Sequence, residues 1–195
     1  MLTTVSPPAA TTPGAATLQL VPVYLGAHRE LLPRLTADLA AAFSLTVEEH
    51  PPGFDPELAF DGSRGQYNSR LLLAQLLRDL RPGCDRVIGV CGVDLFIPVL
   101  TFVFGEAQLD GRAAIVSCHR LQNELYGLPV DRGRLAARLA KEAVHELGHT
   151  YGLVHCHDGR CVMASSTYVE QIDLKAARFC DRCLALQRAP RSASG

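Results

Sequence analysis

Residues 145–155 read HELGHTYGLVH, and the rest of the chain is organised around them. His145 and His149 stand four apart. On a helix that interval puts both imidazoles on one face, where they can grip a single ion. Glu146, beside the first histidine, projects toward the open side of such an ion, where a carboxylate can take a proton from water. Gly152 comes just under one turn after His149. A residue with positive φ ends a helix there, and glycine reaches that conformation without penalty. The chain then turns back, so that His155 can add a third nitrogen. Three neutral nitrogens and one water make an open zinc site, as catalysis requires, in contrast to a closed structural one.

A second ligand set follows at once. Cys156 and Cys161 form one close pair, and Cys180 and Cys183 form a C-x-x-C pair. Two such pairs separated by a loop are what a closed tetrahedral Cys₄ zinc site needs. Four thiolates on one Zn²⁺ leave a net charge near −2, which Arg160, Lys175, Arg178 and Arg182 could offset. A structural zinc here would lock a loop-rich segment that has little else to hold it. The competing readings are a redox C-x-x-C, which wants a thioredoxin-like strand before it, and plain buried thiols. His157 is an alternative fourth ligand. Cys84, Cys91 and Cys118 sit in apolar runs and read as small core residues.

Upstream, Asp131 is placed to cap a helix running through Leu153, with Ala136, Leu139, Ala140, Ala143 and Leu147 as its core stripe. Ahead of that, residues 102–107 and 113–118 read as strands around the turn Leu109-Asp110-Gly111. Residues 86–92 are a short apolar run, read as a buried strand. Residues 17–25 and 44–49 have strand character, and 29–43 is helical. Residues 68–80 read as a helix with Leu71, Leu72, Leu76 and Leu80 as its stripe. Residues 51–65, rich in Pro and Gly, read as loop. A last short helix falls near 174–187. The expected class is α/β (α+β), with a mixed twisted sheet of about five strands, one helix carrying the histidines and another backing the sheet.

The chain has 195 residues, with 48% hydrophobic and 20% charged positions, which suits one domain with a full core. A formal charge of −1 gives no broad positive field for nucleic acid or an anionic membrane, and with no Trp a stacking platform is poorly supplied. No stretch of about 18 apolar residues exists to span a bilayer. The N-terminus lacks the charged and apolar regions of a secretory signal, and a cytoplasmic location is expected. The seven cysteines, an odd number, argue against a disulfide framework. The expected organisation is a disordered lead-in at 1–16, a single domain at 17–188 with two subdomains split near 153, and a loose tail at 189–195.

Taken together, these residues resemble the metzincin zinc peptidases, and more narrowly the archaemetzincin (archaelysin) family. The resemblance rests on residues 145–155, the Cys156 that follows directly, Cys161-Val162-Met163, and the C-x-x-C at Cys180 and Cys183. It covers about residues 102–183. It implies a metzincin-like fold with a Cys-rich, zinc-clipped C-terminal segment. It implies that Met163 is the methionine of the Met-turn, an apolar floor beneath the histidines, and that the four cysteines hold a second zinc. Residues 102–107 resemble the strand bordering the cleft, along which an extended peptide can pair.

The expected function is hydrolysis of peptide bonds in a peptide or protein substrate, by a monomer carrying two zinc ions. His145, His149 and His155 hold the catalytic zinc with its water, and Glu146 is the general base. Cys156, Cys161, Cys180 and Cys183 hold the structural zinc, with Gly152 and Met163 as structural support. No nucleic acid or membrane partner is expected. The alternative is a two-zinc module that binds peptides or proteins and hydrolyses little. A zinc ribbon for nucleic acid is a third reading, disfavoured by the charge. Tyr168 as an oxyanion group and Glu106 as a contact for a substrate amine are weaker candidates.

Overall fold

The computed structural model describes residues 16–189. The lead-in expected at 1–16 and the tail expected at 189–195 lie outside that range, apart from one residue each.

In chain order the elements are β1 (Thr17–Val23), α1 (Leu32–Phe43), β2 (Thr46–Glu49), β3 (Phe60–Asp61), β4 (Gln66–Asn68), α2 (Ser69–Arg78), β5 (Arg86–Cys91), β6 (Leu95–Phe96), β7 (Gly105–Ala107), β8 (Ala113–Ser117), α3 (Arg132–Thr150), α4 (Val169–Leu174) and α5 (Asp181–Arg188). The main sheet has five strands in the order β2-β1-β5-β8-β7, parallel except for β7, which runs antiparallel to β8. The expected mixed five-stranded sheet is therefore present.

Central strands buried on both faces need continuous apolar runs, and β1, β5 and β8 have them. Alternate residues divide between two cores. Leu18, Leu20, Ile88, Val90, Ala114 and Val116 meet α1 and α3 on one face. Val21, Val23, Val87, Ala113 and Ile115 meet α2 on the other. The buried Gln19 is satisfied at the end of α2, donating to the Asp79 carbonyl and accepting from the Arg81 amide. The stripe expected on α3 is present: Leu139, Ala140, Ala143 and Leu147 are buried, and Ala136 packs against the same core. Asp131 caps the helix by accepting the Arg134 amide at 2.8 Å.

Several expectations are corrected. The segment 51–65 contains a 3-10 turn, and β3 pairs with β4, which pairs with β6 in a small second sheet. Strands of two or three residues are too short to show a period. On α2 the buried leucines are Leu72, Leu73 and Leu76, whereas Leu71 is exposed. Leu71 precedes Leu76 by five residues and so falls off its face. Helix α3 stops at Thr150, three residues early. The C-terminal helix is two pieces, α4 and α5, with extended backbone at Lys175 between them.

The C-terminal segment is tied to α3 by a buried guanidinium. Arg138, 2% exposed, donates to both Asp173 oxygens at 2.8 and 2.7 Å, and to the Leu121 carbonyl and Asn123 Oδ1. That pairing holds the Asp173 carboxyl below the usual carboxylate range. A depressed folded pKa stabilises the fold above the unfolded value, about 3.9, and the benefit is lost as pH falls through the folded value. Asp173→Asn is therefore expected to be less stable than wild type at neutral pH, with the difference vanishing in acid below that range. Denaturant melts at several pH values measure it.

Candidate metal centre and cleft

The last two turns of α3 deliver the first three residues of the site. His145 and Glu146 are buried, and His149 follows one turn on. Gly152 then takes φ +74°, which ends the helix and redirects the chain. The return brings the His155 ring to 5.3 Å from that of His145 and 5.2 Å from that of His149, between centroids.

The tautomers follow from the carbonyls. His145 Nδ1 lies 2.9 Å from the Val162 oxygen, and His149 Nδ1 lies 2.7 Å from the Leu153 oxygen. A carbonyl only accepts, so both Nδ1 atoms carry the proton and both Nε2 atoms present lone pairs. Those two Nε2 atoms are 3.1 Å apart. Two lone pairs at that distance repel unless a cation sits between them. A tetrahedral zinc with Zn–N near 2.0–2.1 Å sets its nitrogens about 3.3 Å apart. Burial also pushes the His145 imidazole down to about 3, which keeps it neutral and able to ligate a metal. The donor set therefore fits zinc, and nitrogens from His145, His149 and His155 all lie within 4.8 Å of one another.

Beside them is an open cleft of about 400 Å³, lined by Gly105, Glu106 and Ala107 of β7, by Leu109 and Val154, and by Glu146 and the histidines. Glu146 lies against β7, so closely that a Cβ on Gly105 would come within 2.6 Å of its Cγ. Burial, then the Glu142 charge, raise the Glu146 carboxyl well above the usual range. Met163 is fully buried, its Sδ 2.6 Å from where a Cβ on Gly148 would stand, between the two helical histidines.

The four cysteines also come together, with their sulfurs within 4.8 Å of one another. Cys156 Sγ and Cys180 Sγ are 3.8 Å apart, and the Cys180 amide donates to Cys161 Sγ at 3.3 Å. Zn–S bonds of about 2.3 Å set tetrahedral sulfurs about 3.8 Å apart, so this set fits zinc as well. His157 is not part of the cluster. Among the cations expected to offset the thiolates, Lys175 is spoken for elsewhere. It is buried, and its Nζ donates to Glu142 at 2.9 Å.

With this geometry in view, residues 55–188 match peptidase family M54. The chain belongs to peptidase family M54. It is accordingly a metallopeptidase. The M54 chain is 46% identical over 129 residues to the archaemetzincin of Methanocaldococcus jannaschii, covering 66% of this chain and 70% of that protein. The crystal structure of archaemetzincin from Methanopyrus kandleri superposes with a TM-score of 0.80 at 35% identity, over 92% of this chain and 97% of that one. A zinc-dependent peptidase from Methanocorpusculum labreanum superposes with a TM-score of 0.74 at 29% identity, over 88% and 100%.

The two weaker candidates fare differently in this M54 fold. Tyr168, 66% exposed at the start of α4, does not line the cleft. Glu106 does line it, but its carboxylate is bonded to Ser69 Oγ and, at 3.3 Å, to Arg70 Nε at the start of α2. Sequence reasoning missed the Val162 and Leu153 carbonyls and the tight contacts at Gly105 and Gly148. Carbonyl direction and backbone approach leave no residue-type signal in a single sequence.

Proposed function

We propose that this chain is a two-zinc peptidase in which His145, His149 and His155 hold the catalytic ion and Glu146 is the general base. Cys156, Cys161, Cys180 and Cys183 hold the second, structural ion. The observation that carries the catalytic part is the pair of Nε2 lone pairs facing each other at 3.1 Å, closed by His155 and flanked by a buried carboxylate.

Zinc bound by the histidines supplies a Lewis acid that makes water acidic and polarises a carbonyl. The protein does the rest. The Val162 and Leu153 carbonyls fix the imidazole planes, as outer partners do at metal sites. Glu146 takes the proton of the attacking water and returns it to the leaving amine. Its approach to Gly105 keeps the carboxylate beside the strand along which substrate lies. The edge strand β7 offers backbone groups to an extended peptide, which orients the scissile bond. Gly152 turns His155 into place, and Met163 forms the apolar floor.

The fold divides near Leu153 into a part that carries the sheet and α3 and a segment that carries His155, Met163 and the Cys₄ clip. Thiolate ligation of zinc suits a reducing compartment such as the cytoplasm.

Chelation tests the reading. A strong chelator is expected to abolish hydrolysis of a fluorogenic peptide library, and added zinc to restore it. Hydrolysis that survives complete removal of metal would refute the proposal.

A further inference from the structure

The polar face of α3 does not begin at His145. Arg138, Lys141 and Glu142 precede it on the same side, at helical intervals of three and four. Each grips the C-terminal segment. Arg138 takes Asp173, as described. Lys141 Nζ donates to the Ile172 and Asp173 carbonyls at 2.9 and 3.1 Å. Glu142 accepts from Lys175 Nζ, which donates also to the Ala164 carbonyl at 3.0 Å.

The Glu142–Lys175 pair is the deepest of these, with the two residues only 3% and 4% exposed. Stability alone does not account for it. Desolvation of two charges offsets much of their attraction, and apolar residues of similar volume often serve as well. What distinguishes this pair is its third partner. Ala164 follows Met163, whose sulfur packs at Gly148. Val162 precedes Met163 and receives the His145 Nδ1–H. The turn 162–164 is thus held to α3 on one side by a candidate metal ligand and on the other by Lys175.

We propose that Lys175 is a positioning residue for the metal centre: seated on Glu142, its ammonium holds the Ala164 carbonyl, so that Met163 and the Val162 carbonyl stay beneath the histidines. This rests on the reading that the histidines hold zinc. Lys175 bonds to none of the histidines; its charge is felt by all three imidazoles, and its one contact toward the site is the hydrogen bond to the turn. Outer partners of this kind contribute about 10–100-fold to metal affinity or activity.

The test uses three proteins: wild type, Glu142→Gln, and the paired variant Lys175→Met with Glu142→Leu. Each is loaded with zinc and titrated with a chelator of known zinc affinity. Zinc per chain, thermal midpoint, kcat and KM are measured. The ion lost in a His149→Ala control marks the histidine site. Gln at 142 still accepts from Lys175 but leaves its ammonium without a counter-charge, so Glu142→Gln is expected to be less stable than wild type while keeping the Ala164 contact and a zinc affinity close to wild type. The paired variant removes both charges at once. It also removes the donor to the Ala164 carbonyl, so it is expected to fold but to melt somewhat below wild type, and to lose about ten-fold or more in zinc affinity at the histidine site. Its kcat should fall with KM little changed. A paired variant that folds and keeps wild-type affinity and kcat would overturn the proposal, because the pair would then only fill space. Wild type without a His149-dependent ion would instead overturn the metal reading itself, and that result is seen before any Lys175 variant is measured.

Discussion

Glu146→Gln is expected to lower kcat by about 10²–10⁴-fold, the range by which a positioned general base accelerates proton transfer. Glutamine keeps the volume of the side chain and its place against Gly105. It cannot accept a proton from the attacking water. Zinc binding at both proposed sites and the affinity for peptide should survive, because the histidines, the cysteines and the edge strand β7 are untouched. Loss in kcat with KM retained is the mark of an interaction made only in the transition state. Zinc analysis alongside steady-state kinetics checks both halves. A variant that keeps full activity would remove Glu146 from the chemistry. Wild type with no hydrolysis to lose, but with tight peptide binding, would favour a binding module.

Cys180→Ser is expected to act from the other end of the C-terminal segment. Cys180 sits at the start of α5, with its sulfur 3.8 Å from that of Cys156 and its amide bonded to Cys161. Serine does not supply a thiolate, so one zinc should be lost. Structural zinc contributes its binding energy to folding. A loss of about 3 kcal/mol in a chain of this size lowers the melting midpoint by roughly 10 °C. Peptidase activity should fall too, although no cysteine touches the cleft. The same segment supplies His155, the Val162 and Leu153 carbonyls and Met163, and the Cys156 amide bonds the Met163 carbonyl at 2.9 Å. Differential scanning calorimetry and zinc analysis measure these effects.

Much of this was legible in the residues because the chemistry constrains spacing. The i,i+4 histidines, the glycine three residues on and the third histidine can be read as one site from sequence, and the four cysteines as another. The parallel strands were visible as apolar runs, and Asp131 as a cap. The geometry that makes the site specific was not visible. Whether Val162 or another residue receives the His145 proton depends on the path of a loop. The place of Lys175 shows the limit well. Among thiolates in sequence it reads as a counter-charge for them, whereas the break between α4 and α5 turns it inward to Glu142. Likewise β3, β4 and β6 have two or three residues each, and pairing in so short a strand is decided by neighbours distant in sequence.

The most direct test of the central claim is zinc stoichiometry by elemental analysis on wild type and His149→Ala. Two ions per wild-type chain, falling to one in the variant, are expected if the histidines hold one ion and the cysteines the other. One ion in both proteins would contradict the account, because the histidine site would then be empty and the proposed chemistry would have no metal.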